Sequence, residues 1–120
     1  MRTGIRKKIR WTNPMDDNEF QTHASEALED LYNRLGRATE EHDFEADFNA
    51  GALAIEFEDP PAKFVVSPNA PVKQVWVSAH MKSYKLDWDA ARGAFAAHGQ
   101  TLAELIAEAV SKQLGTTVRL

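Results

Sequence analysis

Two helix-start signatures, Asp16-x-x-Glu19 and Thr101-x-x-Glu104, each open a run of apolar residues at helical spacing, and between the two runs the chain alternates apolar and polar residues. In such a capping box the first side chain accepts the backbone N–H three residues on, and the glutamate reaches back to the first N–H. After Asp16, the residues Phe20, Ala24, Leu28, Leu31 and Leu35 form one stripe. Glu19, Glu26 and Asp30 run along its flank, with Arg34 one turn beyond Asp30 and able to pair with it. Gly36 reads as the end of this helix. After Thr101, a second stripe of Leu102, Leu105, Ile106, Ala109 and Val110 runs to Leu114, and Gly115 suits the left-handed residue that closes a helix.

Everything between is strand-like. Residues 41–48 alternate, and Asn49-Ala50-Gly51 supplies turn chemistry. Leu53, Ile55 and Phe57 then alternate with Ala54, Glu56 and Glu58 until Asp59-Pro60-Pro61. Phe64–Val66 is a third strand, closed by Pro68-Asn69-Ala70-Pro71. Val72–Ser78 and Ser83–Trp88 are a fourth and fifth, and Ala94–Ala96 is a weak sixth because alanine and glycine form strands poorly. Connections this short favour an antiparallel meander. The expectation is an α+β, two-layer α-β sandwich: an antiparallel sheet of five to six strands, with the N- and C-terminal helices packed on one face and water on the other. At 120 residues the chain makes one domain, placed at residues 15–120.

Charge narrows the ligand classes. Glu41, Asp43, Glu45 and Asp47 alternate with His42, Phe44, Ala46 and Phe48, so a strand there sets four acids on one surface, about 6.5 to 7 Å apart. Residues 15–59 hold fourteen of the eighteen acids against Arg34 and Arg37, a net of −12. That segment asks for a cationic partner, a metal ion or a basic protein surface, and makes nucleic acid a poor ligand. The plainer reading is a solvated strand whose charges deter edge-to-edge pairing. Oxygen-only ligands suit hard or borderline cations such as Ca²⁺, Mn²⁺, Fe²⁺ and Fe³⁺. Strung along a strand, they predict weak, multiple, partly hydrated sites. Residues 1–14 are the reverse, with five basic side chains and no acid. They read either as a disordered basic arm or as an upstream extension before a natural start at Met15.

Several chemistries find no support. Cysteine is absent, which excludes disulfides, thiolate metal sites and cluster ligation by this chain. No nucleophile elbow, glycine-rich phosphate loop or histidine metal motif occurs, and no apolar run nears the ~18 residues of a membrane span. His23, His42, His80 and His98 are scattered surface or turn residues. An exposed row of acids lacks the cleft and unequal environments that acid–base catalysis needs, so no enzyme is expected. Trp76 is more informative. It shares a strand face with Gln74 and Ser78, opposite Val75 and Val77, which suggests an exposed aromatic anchor rather than core.

These segments together resemble the frataxin family, its bacterial members in particular. Met15-Asp-Asp-Asn-Glu-Phe20 is similar to the family's start. Asn49-Ala-Gly51-Ala-Leu53-Ala-Ile55 is similar to its N-x-G-V-L-T-I segment. Pro71-Val-Lys-Gln74-Val-Trp76-Val-Ser78 is similar to its P-x-x-Q-[IV]-W-[LV]-[SA] signature, and Asp87-Trp88 and Gly99-Gln-Thr-Leu102 fall in register. The resemblance implies an accessory protein of iron–sulfur cluster assembly, with weak Fe²⁺ and Fe³⁺ binding on an acidic ridge and docking on a cysteine desulfurase–scaffold complex. An iron-independent regulator of the desulfurase is the alternative, and a ferroxidase a third. Carried onto this chain, the cation ligands are Glu41, Asp43, Glu45 and Asp47, with Glu40 and Asp30 as additions. The docking residues are Ser67, Asn69, Gln74, Trp76 and Lys85. A cytoplasmic monomer is implied, with a mitochondrial matrix location and iron-induced oligomers as alternatives. The chain departs from the family at the end of the first helix, where Tyr32, Asn33, Gly36, Arg37 and Thr39 stand in place of acids, and at Gly93, where a tryptophan is usual.

Overall fold

A computed structural model describes residues 15–120; the basic segment 1–14, with the expectation attached to it, lies outside the described residues. Helix α1 spans Asp17–Ala38 and helix α2 spans Leu102–Leu114. Between them run β1 (Glu45–Asn49), β2 (Ala52–Glu58), β3 (Pro61–Asn69), a 3₁₀ turn at Ala70–Val72, β4 (Gln74–Ala79), β5 (Lys82–Asp89), β6 (Ala94–Ala97) and β7 (Gln100–Thr101). Every strand pairs antiparallel with its sequence neighbour, giving one seven-stranded meander. The sheet therefore has seven strands rather than five or six, because two residues ahead of α2 form the short β7.

Both capping boxes form. The Asp16 carboxylate accepts from the Glu19 N–H at 2.8 Å, and Thr101 Oγ1 accepts from the Glu104 N–H at 3.3 Å. Gly115 closes α2 at φ 72°, a conformation that costs glycine nothing. The α1 stripe of Phe20, Ala24, Leu28, Leu31 and Leu35 is buried, as are Leu102, Leu105, Ile106 and Val110 of α2. They meet Leu53, Ile55 and Phe57 of β2 and Val75, Val77 and Ala79 of β4 in a single core. Both helices thus cover one sheet face.

Several boundaries differ from the sequence reading, and the largest differences have backbone reasons. Gly36 lies inside α1. The helix runs on to Ala38 and is capped by Thr39, whose hydroxyl donates to the Gly36 carbonyl at 2.7 Å. The Glu41 and His42 N–H groups then donate to the Ala38 carbonyl at 3.1 and 3.0 Å. Because these groups satisfy the helix end, residues 40–43 form a turn, and β1 starts at Glu45 rather than Glu41. Next, β3 runs well past Phe64–Val66. Pro61 opens it and Pro68 is its penultimate residue, positions where a missing N–H costs the ladder least. Last, β4 begins at Gln74 and not Val72, because Lys73 ends the 3₁₀ turn at φ 54°.

The β4–β5 hairpin turns on His80 and Met81, with φ of 52° and 63°. Two-residue hairpin turns favour Asn-Gly at such angles. The His80 ring lies 3.0 Å from Gln113 Oε1, whereas the Met81 side chain is fully exposed. Met81→Gly is therefore expected to raise stability by about 0.5–1 kcal/mol, through relief of left-handed strain. Urea denaturation checks this; an unchanged or lower midpoint would show that the turn is unstrained.

Candidate functional site

Two surface features stand out, one at the β1 edge beside the end of α1 and one on the open sheet face, and strand register decides what each contains. The two-residue turn at Ala50-Gly51 sets Glu45 opposite Glu56 and Asp47 opposite Ala54. Glu56 in turn faces Lys63, whose Nζ lies 3.9 Å from its carboxylate. A like-charged pair directly across a ladder is unfavourable, and Lys63 relieves only one member of it. Glu56 was not among the candidates drawn from the sequence. Its signal was there, since the alternation of β2 and the length of the turn together place it beside Glu45.

The six candidate cation ligands are not brought together. Glu40, Glu45 and Asp47 line one shallow groove between the end of α1 and β1, with Glu56, Tyr32 and Arg37 among its other walls. Glu41 instead faces a neighbouring cleft with Arg34, Arg37 and Arg119. Asp43 is exposed in the turn. Asp30 lies in neither place. It accepts from Arg34 Nε at 2.7 Å beside a different cavity, lined by His23, Trp88 and Phe95. The expected surface of four alternating acids thus reduces to Glu45 and Asp47 on the strand, with Glu40 and Glu56 as neighbours. Among the described residues no three His, Asp or Glu side chains converge closely enough to hold a metal ion. Arg37 places a positive charge in the same groove. Carboxylates spread in this way and open to water could coordinate a hard cation only loosely and through intervening water.

The second feature is compact. Ser67, Trp76 and Lys85 lie opposite one another on β3, β4 and β5, and Asn69, Gln74 and Asp87 form the neighbouring row. Trp76 points away from the buried Val75 and Val77 and is 37% exposed. Its Nε1–H donates to Gln74 Oε1 at 2.9 Å, and the Gln74 amide donates onward to Asp87 Oδ1 at 3.1 Å. Lys85 Nζ sits 5.0 Å from the ring centroid, within cation–π range. A large apolar ring is thus held in one orientation on the solvent face, and little rotamer freedom remains to be lost on binding. All five expected docking residues fall in this patch, with Asp87 added as the group that orients Gln74.

Comparison with known proteins agrees with this architecture. A family profile described as "Frataxin-like domain" matches residues 13–116. The "Iron-sulfur cluster assembly protein CyaY" of Dechloromonas aromatica is 32% identical over 109 residues, 88% of this chain and 99% of that protein. The protein of the same name from Tolumonas auensis is 30% identical over 108 residues, covering 88% and 99%. Among solved structures, a frataxin from Psychromonas ingrahamii superposes with a TM-score of 0.67 at 25% identity, over 88% of this chain and 97% of that one. Yeast frataxin, at 18% identity, shares the fold with a TM-score of 0.66, over 91% and 95%. With the profile spanning most of the sequence and two relatives matched over nearly their full lengths, this chain belongs to the frataxin family.

Proposed function

We propose that this protein serves iron–sulfur cluster assembly without being an enzyme. It binds Fe²⁺ or Fe³⁺ weakly at Glu40, Glu45, Asp47 and Glu56, and docks through the Trp76 face on a cysteine desulfurase–scaffold complex whose rate it alters. The relatives named as cluster-assembly proteins support the process. The observation that carries the reading is the oriented, solvent-facing Trp76 held by Gln74 and Lys85 on the open sheet face. Large aromatics in such settings concentrate binding energy. Iron is cargo in this scheme, because the acids are spread and remain open to water.

Arg37 in the acidic groove favours a second reading, in which the protein regulates the desulfurase without iron. Anaerobic Fe²⁺ titration followed by amide NMR separates the two. Under the first reading, signals of residues 40, 45, 47 and 56 shift or broaden first, and Glu45→Gln with Asp47→Asn abolishes most of the change. If those signals stay in place at saturating iron while desulfurase binding persists, the iron-independent reading holds.

A further inference from the structure

A cavity of about 350 Å³ opens between α1, the end of the sheet and the start of α2. Pockets for small ligands begin near this size. The side chains that could fill it are short. Ala27, Ala94 and Ala103 line it, and a Cβ added at Gly93 would meet no heavy atom within 4 Å. The buried Leu31, Phe95 and Leu102 supply the rest of an apolar lining.

Its aromatic wall is fixed. Trp88 is half-buried and stacks on His23 at 3.8 Å, with 18° between the ring planes. Phe95 meets Trp88 edge-on at 5.2 Å and is itself held by Phe20 at 5.9 Å. Rings held this way lose little freedom when a flat ligand packs against them. Aromatic pairs also contribute beyond the area they bury.

The rim carries the charge. Glu26, Asp30 and Arg34 follow one another at four-residue spacing on α1, and all three line the cavity. Arg34 Nε donates to Asp30 at 2.7 Å. Glu26 pairs with no cation among the described residues, so one negative charge is left at the mouth. The opposite wall is the first turn of α2, whose positive dipole end disfavours a cation there. A ligand with one positive charge would turn that charge toward α1 and its apolar body toward Gly93 and Ala103.

We infer that this cavity binds a small aromatic amine, with its flat ring among Ala27, Trp88, Gly93 and Ala103 and its ammonium at Glu26. A neutral aromatic would gain only the apolar part, and an aromatic carboxylate would meet Glu26 as a like charge. This goes beyond the cluster-assembly reading and does not depend on it. The cavity shares no residue with the acidic groove or the Trp76 patch.

Tryptamine, indole and indole-3-acetate share one ring and differ in charge, so the three are the probes, each titrated into the isotope-labelled full chain. Tryptamine is expected to give saturable shifts at Gly93, Ala94, Phe95, Ala103 and the Trp88 indole N–H. It should bind roughly tenfold more tightly than indole-3-acetate, the worth of one charge-assisted contact. Glu26→Gln should bring those two affinities within about threefold of each other and leave that of indole unchanged. Ala103→Leu fills the space and should abolish the tryptamine shifts while the free protein melts no lower. Glu26 is exposed, so its variant tests the inference even where Ala103→Leu weakens the fold. Four results overturn it: no saturable shift up to about 5 mM tryptamine, equal affinity for all three probes, a charge preference that survives Glu26→Gln, or shifts centred on Trp76 and Lys85.

Discussion

Trp76→Ala is expected to cost the fold less than about 1 kcal/mol, whereas truncating a buried tryptophan costs about 3–5. The ring stands on the face opposite Val75 and Val77, and its partners Gln74 and Lys85 are themselves on the surface. If Trp76 anchors docking, the same change weakens binding to a desulfurase–scaffold complex by about 2 kcal/mol or more, roughly thirtyfold. Melting temperature and complex affinity measured on one sample decide both points. A large loss of stability would make the ring part of the core. An unchanged affinity would remove it from the binding surface. Neutralising Glu45 and Asp47 should act differently, through association rate and its dependence on salt.

Phe20→Ala should give the opposite pattern, a large loss of stability. Phe20 is fully buried and meets Phe95 edge-to-face at 5.9 Å. Phe95 packs in turn against Trp88 at 5.2 Å, and Trp88 stacks on His23 of α1 at 3.8 Å. Deleting the first ring opens a cavity at the joint between α1 and the sheet, at a cost of about 3–5 kcal/mol. Small domains have only about 5–15 kcal/mol in total, so the melting temperature should fall by more than about 10 °C. Phe20→Leu refills much of the volume and should cost less than about 1.5 kcal/mol. A Phe20→Ala loss below about 1 kcal/mol would mean that α1 does not seat on the sheet as described.

Much of this architecture was legible in the sequence where a local rule acts alone. Asp16 and Thr101 announce their helices because capping needs only residues three apart. Trp76 shows its exposure because strand alternation needs only its two neighbours. What was hidden depends on groups distant in sequence, or on backbone bonds that no side chain reports. The start of β1 was misplaced because the Glu41 and His42 N–H groups turn back to Ala38, and alternation of side chains cannot reveal that. Glu56 joined the acids only once register was known. The Asp30–Arg34 pair was legible at four residues' spacing, but the rotation of α1 that sets it beside another cavity, away from the other acids, was not. Short elements such as β7 exist because the ladder beside them exists, and two residues carry no pattern of their own.

The meander has a consequence for how the molecule holds together. Each strand can form with its sequence neighbour across a short turn, at little loop-closure cost. The helices come from opposite ends of the chain and must meet on one face of that sheet. Phe20 of α1 and Phe95 of β6 touch although they come from opposite halves of the chain, so bringing the two ends together over the sheet is the entropically expensive part of the fold. The hairpins alone would expose their entire apolar face, which no water-facing sheet sustains. Sheet and helices therefore stand or fall together, and release of either end should propagate through the whole domain.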